Sequence, residues 1–195
     1  MNQRPFEILL VEDSPGDVWL TRETLLQGAV PKNINVVTNG EQALDYLNRR
    51  APFINAVRPD LILLDLNLPR RDGLEVLKEV KADPDLRSIT VVILTTSEAP
   101  ADVNTAYDLN ANCYVVKPAD LESFTMAIRG IEHFWMSMAS LPTMSPSGSS
   151  ENKRADSATG GPSGKTNGPG LIPQRLKHRL TTRRILRGGR PRRYR

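Results

Sequence analysis

The sequence predicts an α/β protein built on a parallel five-stranded sheet with helices on both faces. Short apolar runs alternate five times with amphipathic stretches of helical length, a pattern typical of repeated strand and helix units. The first, third and fourth runs are almost continuous Val, Ile and Leu, which indicates strands buried on both faces. Since parallel strands need crossover connections, the helices between them are expected to cover the sheet.

Each predicted strand is a short apolar segment, and the predicted helices lie between them. The strands are residues 7–11, 34–38, 60–65, 90–95 and 113–116. The helices are residues 15–27, 40–49, 72–81, 99–109 and 119–136. Ser14, Asp72 and Asp120 lie at or near three helix starts, where capping side chains are preferred. The second strand is the least apolar, and we expect it at an edge.

Charge divides the chain into two unlike parts. Residues 1–138 carry 13 Lys and Arg against 20 Asp and Glu, whereas residues 139–195 carry 13 against 2. Residues 139–170 are rich in Ser, Gly and Pro, and residues 171–195 hold nine arginines, one lysine and no acid. We therefore expect a folded domain over 1–138, a flexible linker over 139–170 and a disordered basic tail over 171–195.

Several other classes are disfavoured by the sequence. The single cysteine, Cys113, excludes an intramolecular disulfide and has no histidine near it in sequence to activate it as a nucleophile. No apolar stretch is long enough to span a bilayer, and the first residues lack the pattern of a secretory signal. We therefore expect a cytoplasmic protein. The linker segment GGPSGKT lacks the spacing and the preceding strand of a phosphate-binding loop.

Polar residues follow four of the predicted strands, at the edge where open parallel sheets bind ligands. They are Glu12 and Asp13 after the first strand, Asp65 and Asn67 after the third, Thr95 and Thr96 after the fourth, and Lys117 after the fifth. Three clustered carboxylates favour a hard divalent cation such as Mg²⁺, and an amine and a hydroxyl would stabilise a phosphoryl group. Each residue also has a structural explanation, as a helix cap, a strand end or a solvated amine.

Four segments in the expected order resemble the receiver domain of two-component response regulators over residues 6–136: ILLVED, LILLDLNLPRRDG, VVILTTS and CYVVKP. Within that family, VEDSPGDV, LPRRDGLEVL and LTTSEAP are most similar to the receiver-only regulators that work with bacterial phytochrome histidine kinases. The resemblance implies a flavodoxin-like (βα)₅ fold, doubly wound, with strand order 2-1-3-4-5.

The resemblance further implies a phosphorylation site and a metal site that share one carboxylate. Asp65 would accept a phosphoryl group from a histidine kinase. Asp13, Asp65 and the backbone carbonyl of Asn67 would bind Mg²⁺, with Glu12 acting through water. Glu12 stands where many family members have Asp, which affects the geometry around the metal more than metal binding itself.

A conformational switch is also implied by the resemblance. Thr95 would hydrogen-bond the phosphoryl group, Lys117 would pair with it across a cis bond to Pro118, and Tyr114 would follow Thr95 inward. The face made by helix 4, strand 5 and helix 5 would then change its partner preference. Such a protein is a phosphoacceptor in signalling, which takes part in its own phosphorylation and dephosphorylation, rather than an enzyme.

The remaining sequence indicates output by contact. About 57 residues follow residue 138 without strand or strong helical periodicity, so no folded output domain is expected. In the last helix, Phe134 and Trp135 either face the sheet or, as the resemblance to phytochrome-linked regulators implies, extend past it into a dimer interface. The homodimer is expected on the face of helix 4, strand 5 and helix 5. The basic tail would bind anionic partners non-specifically, associate with the acidic receiver or remain solvated.

Three rival functions stay open at this stage. A haloacid-dehalogenase-type phosphatase needs a second Asp two residues after the first, where this chain has Asn67. A receiver that serves as a constitutive binding module conflicts with the complete set of Asp13, Asp65, Thr95 and Lys117. A nucleic-acid-binding regulator would depend on the tail alone.

Overall fold

The computed structural model describes residues 4–142, which form a five-stranded parallel sheet in the order β2-β1-β3-β4-β5. The strands are β1 (Phe6–Val11), β2 (Lys32–Val37), β3 (Leu61–Leu64), β4 (Thr90–Thr95) and β5 (Cys113–Val116). The helices are α1 (Pro15–Leu26), α2 (Gly40–Leu47), α3 (Gly73–Ala82), α4 (Pro100–Asp108) and α5 (Leu121–His133). The predicted fold class and strand order are confirmed, whereas the basic tail and the linker beyond residue 142 lie outside the described residues.

The sheet is covered on both faces, as the continuous apolar strands predict. Alternate strand residues enter two core clusters, one containing Leu9 and Ile62 and the other Ile8 and Leu63. The first cluster is completed by α2, α3 and α4, and the second by α1 and α5. The sheet is therefore rigidly held from both sides, which fixes the positions of the strand ends.

Helix starts follow the predicted capping signals. The side chains of Ser14, Asp72 and Asp120 accept hydrogen bonds from backbone N–H groups in the first turns of α1, α3 and α5. Asn39 caps α2 in the same way, which the sequence prediction did not identify. The last helix ends earlier than predicted, because a π-helical segment (Phe134–Met138) follows His133.

The second strand lies at an edge, as expected, but it begins two residues before the predicted start. Its first residues, Lys32 and Asn33, are polar and still belong to the sheet because their side chains find partners. Lys32 pairs with Glu132 and donates to the Leu25 carbonyl, while Asn33 donates to Glu7 at 2.7 Å. The apolar pattern alone therefore placed the start of β2 two residues too late.

None of the described helices is both long and apolar enough to cross a membrane.

Candidate functional site

Four strand ends bring the predicted polar residues together. The pairing of Val11 with Leu64 and of Leu64 with Ile93 aligns the carboxyl ends of β1, β3 and β4. Backbone hydrogen bonds fix the first residues beyond β3 and β5: the Asp65 N–H donates to the Val11 carbonyl at 3.0 Å, and the Lys117 N–H donates to the Thr95 carbonyl at 2.7 Å. Four of the side chains are buried: Glu12, Asp65, Thr95 and Lys117.

The Lys117 ammonium is the electrostatic centre of this group. Its Nζ lies 2.5 Å from Glu12 Oε2, 2.6 Å from Asp65 Oδ2 and 2.9 Å from Asp17 Oδ2. An ammonium has three donors, and here each one meets a carboxylate. Two of those carboxylates are almost completely buried, so the ammonium offsets charges that would otherwise be costly to desolvate.

Asp17 is a member of the site that the sequence analysis missed. Its backbone N–H donates to Ser14 Oγ at 3.4 Å, which places it at the third position of α1. An acid at this position is common because it interacts favourably with the helix N-terminus. The presence of an acid in the first turn of a helix could have drawn attention to Asp17. That pattern accounts only for a favourable interaction with the helix N-terminus and does not indicate the contact with Lys117.

Burial and ion pairing shift two pKa values in this group. Burial alone would lower the pKa of Lys117, but its hydrogen bonds to Asp17, Asp65 and Glu12 outweigh burial and raise it above its ordinary value. Burial raises the pKa of Glu12, and the Lys117 ammonium offsets part of that rise. Lys117 is thus held firmly in its charged form, whereas Glu12 is the acid that protonates more readily than usual.

Three carboxylates of the site could hold a metal ion. Glu12, Asp13 and Asp65 each offer an oxygen, and these oxygens lie within 4.8 Å of one another. Asp13 is exposed while the other two are buried, so the cluster opens to solvent on one side. An all-oxygen donor set of this charge fits a hard divalent cation.

Asn67, which follows Asp65 by two residues, forms two hydrogen bonds at this edge of the sheet. The Asn67 N–H donates to Asp65 Oδ1 at 3.1 Å, and the Asn67 amide donates to Thr96 Oγ1 at 3.3 Å. The Asn67 N–H orients one carboxylate oxygen of Asp65, while Lys117 holds the other. Both oxygens are therefore fixed by hydrogen bonds.

The predicted switch residues are linked through one loop. Ser97 N–H donates to Thr95 Oγ1 at 3.4 Å, and the Tyr114 hydroxyl donates to the Ser97 carbonyl at 3.0 Å. Tyr114 is half-buried and packs against the core cluster that contains α4. Movement of the loop after β4 would consequently act on Thr95 and Tyr114 together.

One prediction near the site is wrong. The peptide bond between Lys117 and Pro118 is trans, and the cis bond within the described residues joins Ala51 to Pro52. Lys117 reaches Asp65 from the trans conformation, because the bond from its N–H to Thr95 already directs the backbone.

Gly73 is a second residue whose importance the sequence analysis missed. A Cβ atom at this position would lie 2.2 Å from the carbonyl oxygen of Asp65 and 2.7 Å from the Cα of Leu66. Both distances are shorter than non-bonded atoms allow. The start of α3 therefore packs directly against the backbone of Asp65, and only glycine fits there.

Comparison with known proteins identifies the family. Residues 8–129 match the response regulator receiver domain. The chain belongs to the response regulator receiver family. Response regulator Rcp1 of Synechocystis sp. is 44% identical over 138 residues, which is 71% of this chain and 94% of that protein. The receiver is therefore a signalling protein of two-component systems, whose partner is a histidine kinase.

Two solved structures extend this comparison. The phosphorylated cyanobacterial phytochrome response regulator RcpA has a TM-score of 0.70 and 46% identity, covering 72% of this chain and 100% of that chain. The Mn²⁺-bound form of Rcp1 has a TM-score of 0.70 and 43% identity, covering 71% and 100%. A divalent cation thus binds in a close relative of this receiver.

Proposed function

We propose that Asp65 is the phosphoacceptor of this receiver and that the other site residues serve its phosphorylation. The observation that carries the proposal is the position of Asp65, which is buried at a central strand end with one oxygen held by Lys117 and the other by Asn67. A carboxylate fixed in this way has few orientations to lose when it attacks.

The proposed reaction transfers a phosphoryl group from a phosphohistidine of the kinase. One Asp65 oxygen forms the new P–O bond, the P–N bond breaks, and its electron pair returns to the imidazole ring. The Lys117 ammonium and the Thr95 hydroxyl would then contact the phosphoryl oxygens, which carry the negative charge of the transition state. Hydrolysis of the acyl phosphate by water at the same site would return the protein to its starting state.

The proposed metal is Mg²⁺, bound by Asp13, Asp65 and the Asn67 carbonyl, with Glu12 acting through water. When bound, the cation would neutralise charge on the phosphoryl oxygens. Support comes from the oxygens of Glu12, Asp13 and Asp65, which lie within 4.8 Å of one another, and from the Mn²⁺-bound Rcp1 structure. Asp13 is the exposed member and would be the first carboxylate that an incoming cation meets.

The proposed switch connects phosphorylation to protein contacts. A phosphoryl group on Asp65 would attract the Thr95 hydroxyl, and Thr95 and Tyr114 are both hydrogen-bonded to Ser97 in the loop after β4. Tyr114 would then exchange its bond to Ser97 for a more buried position. The surface of α4, β5 and α5 would change in consequence.

Incubation with acetyl phosphate tests the phosphoacceptor directly. The full chain should gain one phosphoryl group by intact mass in the presence of Mg²⁺ and none in its absence. Asp65→Asn should abolish the gain, whereas Asp85→Asn, an exposed acid in the loop after α3, should leave it unchanged. Absence of any gain, from acetyl phosphate or from a phosphorylated histidine kinase, would favour a constitutive binding module.

We also propose the kinase, the compartment and the dimer. A phytochrome-type histidine kinase is supported by the similarity to RcpA, which is a phytochrome response regulator. A cytoplasmic location is supported by the free thiol of Cys113, which is typical of a reducing compartment. A homodimer through α4, β5 and α5 is supported by exposed apolar side chains there, including Tyr107, Leu121 and Met126.

We also propose a role for the arginine-rich sequence beyond residue 142. We retain the division into a receiver (1–138), a linker (139–170) and an arginine-rich segment (171–195). Nine arginines without an acid would attract an anionic partner with little specificity. Binding of this kind should weaken steeply as the salt concentration rises.

A further inference from the structure

Three carboxylates surround the Lys117 ammonium, and they differ in how far solvent reaches them. The side chains of Glu12 and Asp65 are 3% and 6% exposed, whereas the side chain of Asp17 is 34% exposed. Asp17 also lies farthest from the ammonium, at 2.9 Å against 2.5 and 2.6 Å. Since water screens an exposed ion pair more than a buried one, the Asp17 contact is the weakest of the three.

The ammonium has no donor to spare for a further acceptor. A lysine side chain has three N–H donors, and in this structure each donor meets one carboxylate oxygen. A phosphoryl oxygen can therefore gain a contact with Lys117 only when one of the present contacts is given up.

Phosphorylation of Asp65 would move the negative charge that the ammonium faces. The esterified carboxyl group of Asp65 is neutral, and the phosphoryl oxygens beyond it carry the charge instead. The ammonium must follow this charge, so it cannot keep the contacts with Glu12 and Asp17 both at their present lengths. One of these two carboxylates has to lose its donor.

Glu12 is the costlier of the two to release. It is buried, and Lys117 is the one cation that contacts it among the described residues. Its remaining hydrogen bond, from the Ser14 N–H to Oε1 at 3.1 Å, comes from a neutral donor. A buried carboxylate that is left without its cation is strongly destabilised, so Lys117 is expected to keep Glu12.

Asp17 can be released at little cost, because other groups stabilise its charge. It lies in the first turn of α1, which Ser14 caps. A carboxylate near a helix N-terminus interacts favourably with the partial positive charge there, whether or not a lysine contacts it. Solvent also reaches the partly exposed side chain. The Asp17 contact is thus the one that a phosphoryl group can displace.

We propose that Asp17 is a positioning residue, which holds the Lys117 ammonium in the unphosphorylated receiver and releases it to a phosphoryl group on Asp65. This role for Asp17 rests on the phosphoacceptor role proposed for Asp65. Only hydrogen bonds change in the exchange, and loss of the phosphoryl group returns the ammonium to Asp17. The Asp17 carboxylate therefore competes with the phosphoryl group for one donor and weakens the hold of the site on that group.

Binding of trifluoroberyllate to the full chain tests this exchange at equilibrium. The anion binds a carboxylate oxygen and then has the tetrahedral shape of a phosphoryl group, and fluorine NMR distinguishes its bound and free forms. Mg²⁺ is kept at saturation. Asp17→Asn removes the competing charge, and Asp17→Ala also removes the acceptor. The matched control, Glu75→Gln, removes an exposed acid from the first turn of α3.

Each of these variants is measured alone and together with Lys117→Met. Asp17→Asn and Asp17→Ala should bind trifluoroberyllate about twofold to fivefold more tightly, which corresponds to the strength of a partly exposed ion pair. Glu75→Gln should leave the Kd unchanged. In the Lys117→Met background no ammonium can be exchanged, so the gain from Asp17→Asn should disappear. If Lys117→Met abolishes binding, the double variant should also fail to bind.

The opposite results would overturn the role of Asp17. Weaker binding in Asp17→Asn would show that Asp17 orients the ammonium for the phosphoryl group, and an unchanged Kd would show that the contact has no part in binding. Equal tightening with and without Lys117, or binding regained in the double variant, would show that Asp17 merely repels the anion.

The intact-mass assay separates these results from a failure of the phosphoacceptor. A native chain that gains a phosphoryl group but binds no trifluoroberyllate would overturn the role of Asp17 alone. A native chain that gains no phosphoryl group from acetyl phosphate or a phosphorylated kinase would refute the phosphoacceptor, and the role of Asp17 with it.

Discussion

Replacing Lys117 by Met should unbalance the site, and the size of the effect can be derived from its contacts. The variant leaves Glu12 and Asp65 buried without the ammonium that now lies 2.5 and 2.6 Å away. Removal of one partner from a buried ion pair costs about 3–5 kcal/mol. Glu12 can take up a proton, since burial already raises its pKa, so we expect a loss near 3 kcal/mol.

Divalent cations should partly rescue the Lys117→Met variant. In the native site the ammonium and a metal ion would repel each other, because both lie beside the carboxylate of Asp65. At a separation of about 5 Å this repulsion is about 1.7 kcal/mol even with the dielectric constant of water. Mg²⁺ should therefore bind the variant at least about tenfold more tightly, although phosphorylation should be slower.

Urea denaturation with a Mg²⁺ titration measures both effects. Lys78→Met, which removes an exposed ammonium on α3, is the matched control and should change neither stability nor metal affinity measurably. A Lys117→Met loss below about 1 kcal/mol, the range of an exposed pair, would refute the reasoning. An unchanged Mg²⁺ affinity would show that the ammonium and the metal do not share these carboxylates.

Three further effects should be measurable. Gly73→Ala should lower phosphorylation of Asp65 and destabilise the fold by about 1–3 kcal/mol, because its Cβ would overlap the Asp65 backbone. Lys32→Met should cost about 3–5 kcal/mol by leaving Glu132 unpaired, without changing the phosphorylation rate per folded molecule. Burial lowers the pKa of Lys81 to about 8, so its contribution to stability should rise between about pH 8 and 10.5, and the stability of the native protein relative to Lys81→Met should increase over that range.

The sign of the Lys81 effect follows from proton binding. Between the folded pKa of about 8 and the ordinary value of 10.5, the unfolded chain holds a proton that the folded chain has lost. A free energy of unfolding that changes with pH in the same way in the native protein and in Lys81→Met would contradict the Lys81 prediction. Normal phosphorylation of Gly73→Ala, or slower phosphorylation in folded Lys32→Met, would contradict the other two predictions.

The strand ends of the site were predictable because their chemistry departs from their surroundings. Asp65 follows four consecutive buried apolar residues, and an acid in that place needs a cation, a donor or solvent. Parallel pairing then dictates that the ends of β1, β3 and β4 share one edge. Alternation of apolar strands and helices was sufficient for the fold class.

Other features depend on contacts that no local pattern reveals. Asp17 belongs to the site because α1 places it beside Lys117, 100 residues away in sequence. Lys32 extends β2 because Glu132, at the end of α5, provides its partner. Gly73 is constrained by the backbone of Asp65, whereas in sequence it looks like an ordinary residue at a helix start. Each of these relations exists only after the chain has folded.

The bond from Tyr114 to the Ser97 carbonyl bears on how small a signal this receiver could register. A single neutral hydrogen bond contributes only about 0.5–1.5 kcal/mol net. Taken alone, that bond would leave the alternative position of the ring populated at roughly 7–30% before any phosphorylation. A change of about 1.4 kcal/mol at Thr95 would then alter the ratio of the two populations tenfold. The surface of α4, β5 and α5 would then change in proportion to the fraction of molecules that are phosphorylated. A small fraction of molecules would hold Tyr114 in its alternative position even while the kinase is inactive.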